Sequence, residues 1–472
     1  MADSIIANGV VVTQDSERRV LTDGAVVVEG SEIVTVGPTE DITSNYDADK
    51  IIDADGCAVI PGLINAHTHV SDILIRGAFN PDRGLFDWLY NVKRPCVLRM
   101  DADEQEIAAK LYCTEAIQSG ITTFVENHTE VIWDDTETIE SKLQVYDKAG
   151  IRNIYAAGVN DLAPDDAFQT VLKNIKSREP ETNHVPDDQH VYSTAEALDE
   201  VESLIEKYHQ TADGRQSVWP APVVIPNASK RVLRESYEMA ERFDVMTTLH
   251  VAESEIEEQN GTLSSVEYLR NAGYLGERAL LGHCVQIDDY DIRILARTDT
   301  AVAHNIMANM RLATGFAPVV SMLENNVTVA LGTDSAVLSD TVNMFNDVRF
   351  ASSGHKGHHR ETDAVSAQEA FDMATVRGAE AIGRADAIGS LEAGKKADIA
   401  IVDLNHPHLT PHPDPVSALV HNAQGFEVDT LMCDGNIIMS GRTIQSLEEG
   451  LDSILSRAAV VAEKVTERAE IG

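Results

Sequence analysis

Apolar and β-branched side chains alternate or run together over residues 4–12 and 24–36, with turn residues such as Thr22-Asp23-Gly24 ahead of the second stretch. That is the pattern of strands with a buried face. The same signature returns near the other end in Ala397-Asp398-Ile399-Ala400-Ile401-Val402, in 428–432 and in Asn436-Ile437-Ile438-Met439, with Asp434-Gly435 as a hairpin dipeptide between the last two. Two β-rich segments flanking a long middle predict one small β-sandwich built from both chain ends, residues 1–58 and 386–445.

The middle, 59–385, alternates short apolar runs with amphipathic stretches such as 103–118 and 229–243. The runs are 58–66, 121–126, 153–158, 218–225, 245–251, 279–282, 300–303 and 327–331. Eight such β/α units predict an α/β fold of the (β/α)₈ TIM-barrel type. An open doubly wound sheet is the rival, but no G-x-G-x-x-G follows the first run. The polar stretch 177–193 reads as an excursion within the barrel, and 446–472 as a C-terminal helix of mixed charge.

Composition narrows the class. The chain has 472 residues, 43% of them hydrophobic, and no stretch approaching a membrane span of ~18 apolar residues. The first residues lack the basic and apolar regions of a signal peptide, so a cytoplasmic protein is expected. Five scattered cysteines without a C-x-x-C pair argue against disulfides or a zinc knuckle and predict buried thiols. The charge of −40, from 77 acidic and 37 basic residues, would repel nucleic-acid backbones and anionic membranes. Acid is spread along the whole chain, and 13 lysines stand against 24 arginines. Both observations predict the hydrated surface of a halophilic, salt-accumulating host.

Candidate chemistry lies where histidines fall relative to the runs. His67 and His69 end the first, and residues i and i+2 of a strand share a face. His250 ends the fifth run, His283 the sixth, His304 the seventh and Asp334 the eighth. In a (β/α)₈ barrel those strand ends form one ring. Imidazoles and a carboxylate converging there suit Zn²⁺ or Fe²⁺ with a position left for water.

These features are joined by Pro61-Gly-Leu-Ile-Asn-Ala-His-Thr-His69, Leu249-His-Val-Ala-Glu253, Gly282-His-Cys284, Gly332-Thr-Asp-Ser335 and Gly389-Ser-Leu-Glu-Ala-Gly-Lys-Lys-Ala-Asp398. Together they resemble the amidohydrolase superfamily, in its cytosine-deaminase-like branch, over nearly the full length. Within it the chain is similar to the atrazine chlorohydrolase and melamine deaminase group, through stretches such as Phe86-Asp-Trp-Leu and Ser217-Val-Trp-Pro-Ala-Pro, and nearly as similar to S-adenosylhomocysteine and methylthioadenosine deaminases. The resemblance implies that His67, His69, His250 and Asp334 hold one divalent metal ion per chain, zinc before iron. It also implies that His283 completes the metal shell or orients the bound hydroxide, and that Glu253 shuttles protons. No lysine ends the fourth run, where binuclear members carry a bridging one.

The expected reaction is hydrolytic removal of an amino group from a purine, pyrimidine or triazine-like ring, with Glu253, His283 and Asp334 catalytic. Expulsion of chloride or opening of a cyclic amide at the same metal is the alternative, and a non-catalytic barrel the remotest. The expected partners are a small heterocyclic substrate and a second copy of the chain in a homodimer. Phe86 and Trp88 suit stacking on a flat ring, though core aromatics look the same. His128, after the second run, is a further pocket candidate, with Asn305 and Asn309 after the seventh. There the segment His304-Asn-Ile-Met-Ala-Asn309 departs from the Asn-Pro-x-Ser-Asn of many deaminases. Ser335-Ala-Val-Leu-Ser-Asp340 lacks the residues that mark either triazine activity, which predicts an apolar pocket wall at Leu338. His355, His358 and His359 read as a solvated loop.

Overall fold

A computed structural model describes residues 2–77, 84–98, 100–129, 136–161, 193–255 and 263–469. The N-terminal segment supplies β1 (Ala2–Val12), β2 (Val20–Glu29), β3 (Glu32–Pro38), β4 (Ala48–Asp53) and β5 (Cys57–Pro61). The middle supplies β6 (Leu63–His69), β7 (Ile121–His128), β8 (Arg152–Val159), β9 (Gln216–Pro222), β10 (Thr247–Val251), β11 (Ala279–His283) and β12 (Ala301–His304). An eighth barrel strand comes in two pieces, β13 (Val329–Leu331) and β14 (Asp334–Ser335), and the C-terminal part adds β15 (Ile399–Asp403), β16 (Val428–Cys433), β17 (Asn436–Ser440) and β18 (Thr443–Ile444).

Both chain ends share one nine-stranded sheet of order β18-β17-β16-β15-β5-β1-β2-β3, with β4 also on β1. The ends are stitched where β5 pairs antiparallel with β15, Ile60 opposite Ala400. β1 pairs β4 through 2–7 and β5 through 10–11, so the sheet forks at Asn8-Gly9, where the register shifts and Asn8 takes a φ of 66°. Strand alternation then sorts the faces. Val59, Ile399 and Ile401 share an apolar cluster with Ile6 and Val26. Ala58, Ile60, Ala400 and Val402, pointing the other way, join the core of the barrel and its helices.

The apolar run 58–66, read as one strand, is two. It breaks at Gly62, where a Cβ would lie 2.2 Å from Thr122 Oγ1 and where the backbone N–H donates to Asp398 O at 2.8 Å. The expected boundary at 58–59 therefore falls inside β5, and the outer sheet keeps the chain to Pro61. Because residues 58–61 and 63–69 are all buried, no change of hydropathy marks the switch.

The barrel strands run parallel in two arcs, β14-β6-β7-β8-β9 and β10-β11-β12-β13. A bridge between Val224 and His250 links the arcs on one side, and the β13–β14 strand links them on the other, with Asp334 opposite Thr68 of β6. The intervening helices start where their capping residues dictate. Asp101 forms a capping box with Glu104 ahead of the helix Ala102–Gln118, and Ser229 caps Lys230–Phe243. Of the polar excursion 177–193, all but Ser193 lies outside the described residues. The C-terminal helix spans Leu451–Arg468. Four of the five cysteines are buried, and Cys57 is half-buried. Among the described residues, no helix is long and apolar enough to cross a membrane.

Candidate functional site

His67 and His69 stand at the end of β6, both buried, with Asp334 brought beside them by the β14–β6 pairing. Three side chains fix that junction. Asn65 Oδ1 accepts from Thr333 N at 3.0 Å, Asn65 Nδ2 donates to Thr333 Oγ1 at 2.8 Å, and Thr68 Oγ1 donates to Asp334 O at 3.0 Å. Gly332 and Gly282 make room for His67. A Cβ would lie 2.6 Å from His67 Cβ at the first and 3.1 Å from His67 Cε1 at the second.

The imidazoles converge. Nε2 of His69 lies 3.3 Å from Asp334 Oδ1 and 3.2 Å from His250 Nε2, and Nε2 of His67 lies 3.7 Å from Asp334 Oδ1. His67, His69 and His250 form one cluster of closely spaced ligand atoms, and His67, His283 and Asp334 a second. The far sides of the His69 and His250 rings are anchored to backbone. His69 Nδ1 donates to Asn127 O at 2.7 Å and His250 Nδ1 to Val223 O at 2.9 Å, which leaves each Nε2 with its lone pair facing the centre. Neither ring nitrogen of His67 has a hydrogen-bond partner although both are buried. A divalent ion among these atoms fits the donor set and would satisfy them.

Burial governs the electrostatics. Desolvation holds His67 and His69 well below the usual histidine range and brings His250 and His283 down to about 3, so the rings are neutral at pH 7, as metal ligands must be. Desolvation also raises the pKa of Asp334, against the pull of His250 and Lys93. Four residues here carry left-handed backbone without being glycine: Ala252 (φ 50°), His283 (φ 69°), Cys284 (φ 50°) and Asp334 (φ 56°). Such strain concentrates where a side chain must be aimed.

The centre opens on a cavity. His69, His250, His283 and Asp334 line its floor, with Glu253 Oε1 3.6 Å from His283 Nδ1. Leu85, Phe86, Trp88, Leu89, Val224 and Leu338 give the wall its apolar character. Lys93, Arg94, Tyr90 and Asn227 also face the cavity, and the sequence reading missed all four.

Three expected pocket residues are elsewhere. His128 continues β7 rather than starting a loop, and is buried against Lys142, whose ammonium lies 3.2 Å from His128 Nδ1 and ion-pairs with Glu126. Burial alone would raise the Glu126 pKa, but Lys142 and His128 outweigh it and hold it at about 2. Asn305 and Asn309 sit behind His283. Asn309 Nδ2 donates to His283 Nδ1 at 3.1 Å, and the Asn305 amide lies 3.4 Å from the same ring. They position that histidine and do not line the cavity.

His304 turns away from the centre. Its Nε2 is 3.1 Å from Nε2 of His355, which the helix Met344–His359 buries. The three late histidines are thus the end of a helix and not a solvated loop. His355 is buried there, while His358 and His359, one turn further on, are exposed.

The chain matches the amidohydrolase family over residues 58–438. It is 34% identical over 441 residues to a 5'-deoxyadenosine deaminase of Methanothermobacter thermautotrophicus, covering 92% of this chain and 94% of that protein. It is 33% identical over 448 residues to an S-triazine hydrolase of Gordonia rubripertincta, covering 94% and 91%. Among solved structures, an adenosine deaminase from Xanthomonas campestris with bound zinc superposes with a TM-score of 0.87 at 24% identity, covering 99% of each chain, which shows the shared fold.

Proposed function

This chain belongs to the amidohydrolase family, and we propose that it is a divalent-metal-dependent aminohydrolase that strips an amino group from a purine-, pyrimidine- or triazine-like ring. One observation carries the reading: Glu253 stands on the cavity wall next to His283, over the convergent histidines and Asp334. In this reading His67, His69, His250 and Asp334 hold one ion per chain, zinc before iron, and His283 completes or orients the set. An ion so held supplies Lewis acidity, drawing the pKa of a water molecule toward ~7.

The side chains do the remaining work. Asp334, its basicity raised by burial, accepts the proton released at the cavity floor and passes it to the departing amino group, which leaves as ammonia. Glu253 delivers a proton to the ring nitrogen beside the C–NH₂ carbon, which makes that carbon electrophilic. Phe86 and Trp88 hold the ring flat against the apolar wall. Expulsion of a different group at the same site is the second reading, favoured by the similarity to an S-triazine hydrolase. A cytoplasmic, salt-adapted homodimer is the expected state, and sedimentation in molar KCl checks it.

Glu253→Gln tests the assignment. The amide keeps shape and hydrogen bonding but carries no transferable proton, so the metal-replete variant should release ammonia about 10²–10⁴-fold more slowly with its metal content unchanged. Near-wild-type ammonia release would place the proton shuttle elsewhere.

A further inference from the structure

Behind the metal site lies a buried ammonium that the proposed chemistry does not use. Lys142 comes from the helix Thr136–Ala149, whose buried face is otherwise mostly apolar, with Ile139, Leu143 and Val145 in the core of the barrel and its helices. Its side chain is 0% exposed. The ammonium ion-pairs with Glu126 Oε1, donates to Ser71 Oγ at 3.1 Å and lies 3.2 Å from His128 Nδ1. An ammonium has three N–H groups and no lone pair, so the imidazole nitrogen accepts and all three donors are used. The network closes beyond them. Tyr146 Oη donates to Glu126 Oε2 at 2.7 Å, and Ser71 Oγ donates to Gln105 Oε1 at 2.7 Å. None of these side chains lines the cavity over the metal site.

The three partners of Lys142 lie on both sides of one metal-site residue. Ser71 follows His69 by two positions. Glu126 and His128 flank Asn127 on β7, and the Asn127 carbonyl accepts from His69 Nδ1 at 2.7 Å. The segment that leaves His69 and the strand that anchors its ring are thus tied to a single nitrogen atom. Burying an ion pair carries a desolvation cost, and apolar side chains of similar volume often hold a helix to a sheet as well or better. Apolar contacts do not supply direction, whereas hydrogen bonds fix which atoms meet, and a metal site needs its ligands placed within about 0.5 Å. We propose that Lys142 is a positioning residue, holding Ser71 and β7 so that the His69 ring keeps its place in the metal site, an inference that rests on the reading of His69 as a ligand. Arg215 supplies the contrast on the same helix. Its guanidinium holds Asp147, near the helix's C-terminal end, to the start of β9 at 2.7 Å and touches none of the residues around His69.

The test uses the full-length protein. Chelator competition reads zinc affinity, the visible absorption of the cobalt-loaded form reads ligand geometry, and thermal melting reads stability. Lys142→Met combined with Glu126→Gln removes both charges together, so neither is left buried alone. Zinc affinity of this double variant should fall about 10- to 100-fold, the range for losing groups that orient a ligand, and its cobalt bands should shift. Arg215→Gln loosens the same helix away from His69, so it should lower the melting temperature and leave zinc affinity and cobalt bands unchanged. If the double variant fails to fold, Ser71→Ala carries the test, because it removes one acceptor and keeps the ion pair. A loss of about 10-fold in zinc affinity is then expected. Wild-type zinc affinity in the folded double variant, or in Ser71→Ala where that variant carries the test, overturns the proposal and leaves the metal site standing. So does an equal loss in Arg215→Gln, which would make the effect one of general destabilisation. A wild-type chain that takes up no zinc sinks the ligand reading itself, and this proposal with it.

Discussion

Two groups of buried imidazoles stand at the C-terminal end of this barrel, and they differ in what faces them. His67, His69, His250 and His283 meet the Asp334 carboxylate and a cavity, and two of them donate to backbone carbonyls, so lone pairs point at a common centre. His304 and His355 face each other, Nε2 to Nε2 at 3.1 Å, His355 also packs against the Phe316 and His359 rings, and neither lines the cavity. Burial pushes both groups toward the neutral form. A strand-end histidine therefore does not make a ligand. In the proposed ligand set the imidazoles instead converge on a carboxylate beside a cavity.

The sharpest way to break the contrast is to remove the carboxylate. Asp334→Ala should leave the imidazoles without their anionic partner and abolish both stoichiometric metal, read by elemental analysis, and turnover. One ion per wild-type chain is expected, and two would sink the mononuclear assignment.

A smaller effect follows from loosening an imidazole without removing it. Asn309→Leu deletes the donor to His283 Nδ1, and about 10- to 100-fold loss of activity or metal affinity is expected, the usual cost of an orienting partner. Unchanged activity would reduce His283 to a bystander.

The closed pair should respond in stability instead. His355→Phe strands the His304 Nε2 and should cost about 1–3 kcal/mol in denaturant unfolding, with metal stoichiometry intact. The pair also carries a pH signature. His304 titrates well below the ordinary histidine value and His355 near 4, so between about 6.5 and 4 the unfolded chain takes up protons that the folded chain refuses. Their contribution is complete above pH 6.5 and is lost as pH falls through 4, a slope that the phenylalanine variant should flatten.

The mildest perturbation is salt. At −40 the surface repels itself, and molar KCl shortens the screening length to ~3 Å, so the melting temperature should rise while metal stoichiometry stays at its low-salt value. An unchanged melt would count against a salt-adapted surface.

Sequence alone determined where most barrel strands lie, to within a few residues, because alternation and apolar runs report which positions a strand buries. It placed His67 and His69 on one face and Asp334 at the close of the eighth run for the same reason. Tertiary structure decided which imidazoles meet. His304 has the same strand-end address as His283, and only the packing of the helix Met344–His359 turns it toward His355. The anchors of His69 and His250 are carbonyls of Asn127 and Val223, and every residue has a carbonyl, so no residue type announces them. His128 was misread because its strand runs two residues past the apolar run to close on Lys142. Lys93 and Arg94 left only a faint signal, adjacent cations in an acidic chain. Which way they face was set by the π-helical turn Leu89–Lys93, a local change of helical pitch that hydrophobic periodicity does not encode.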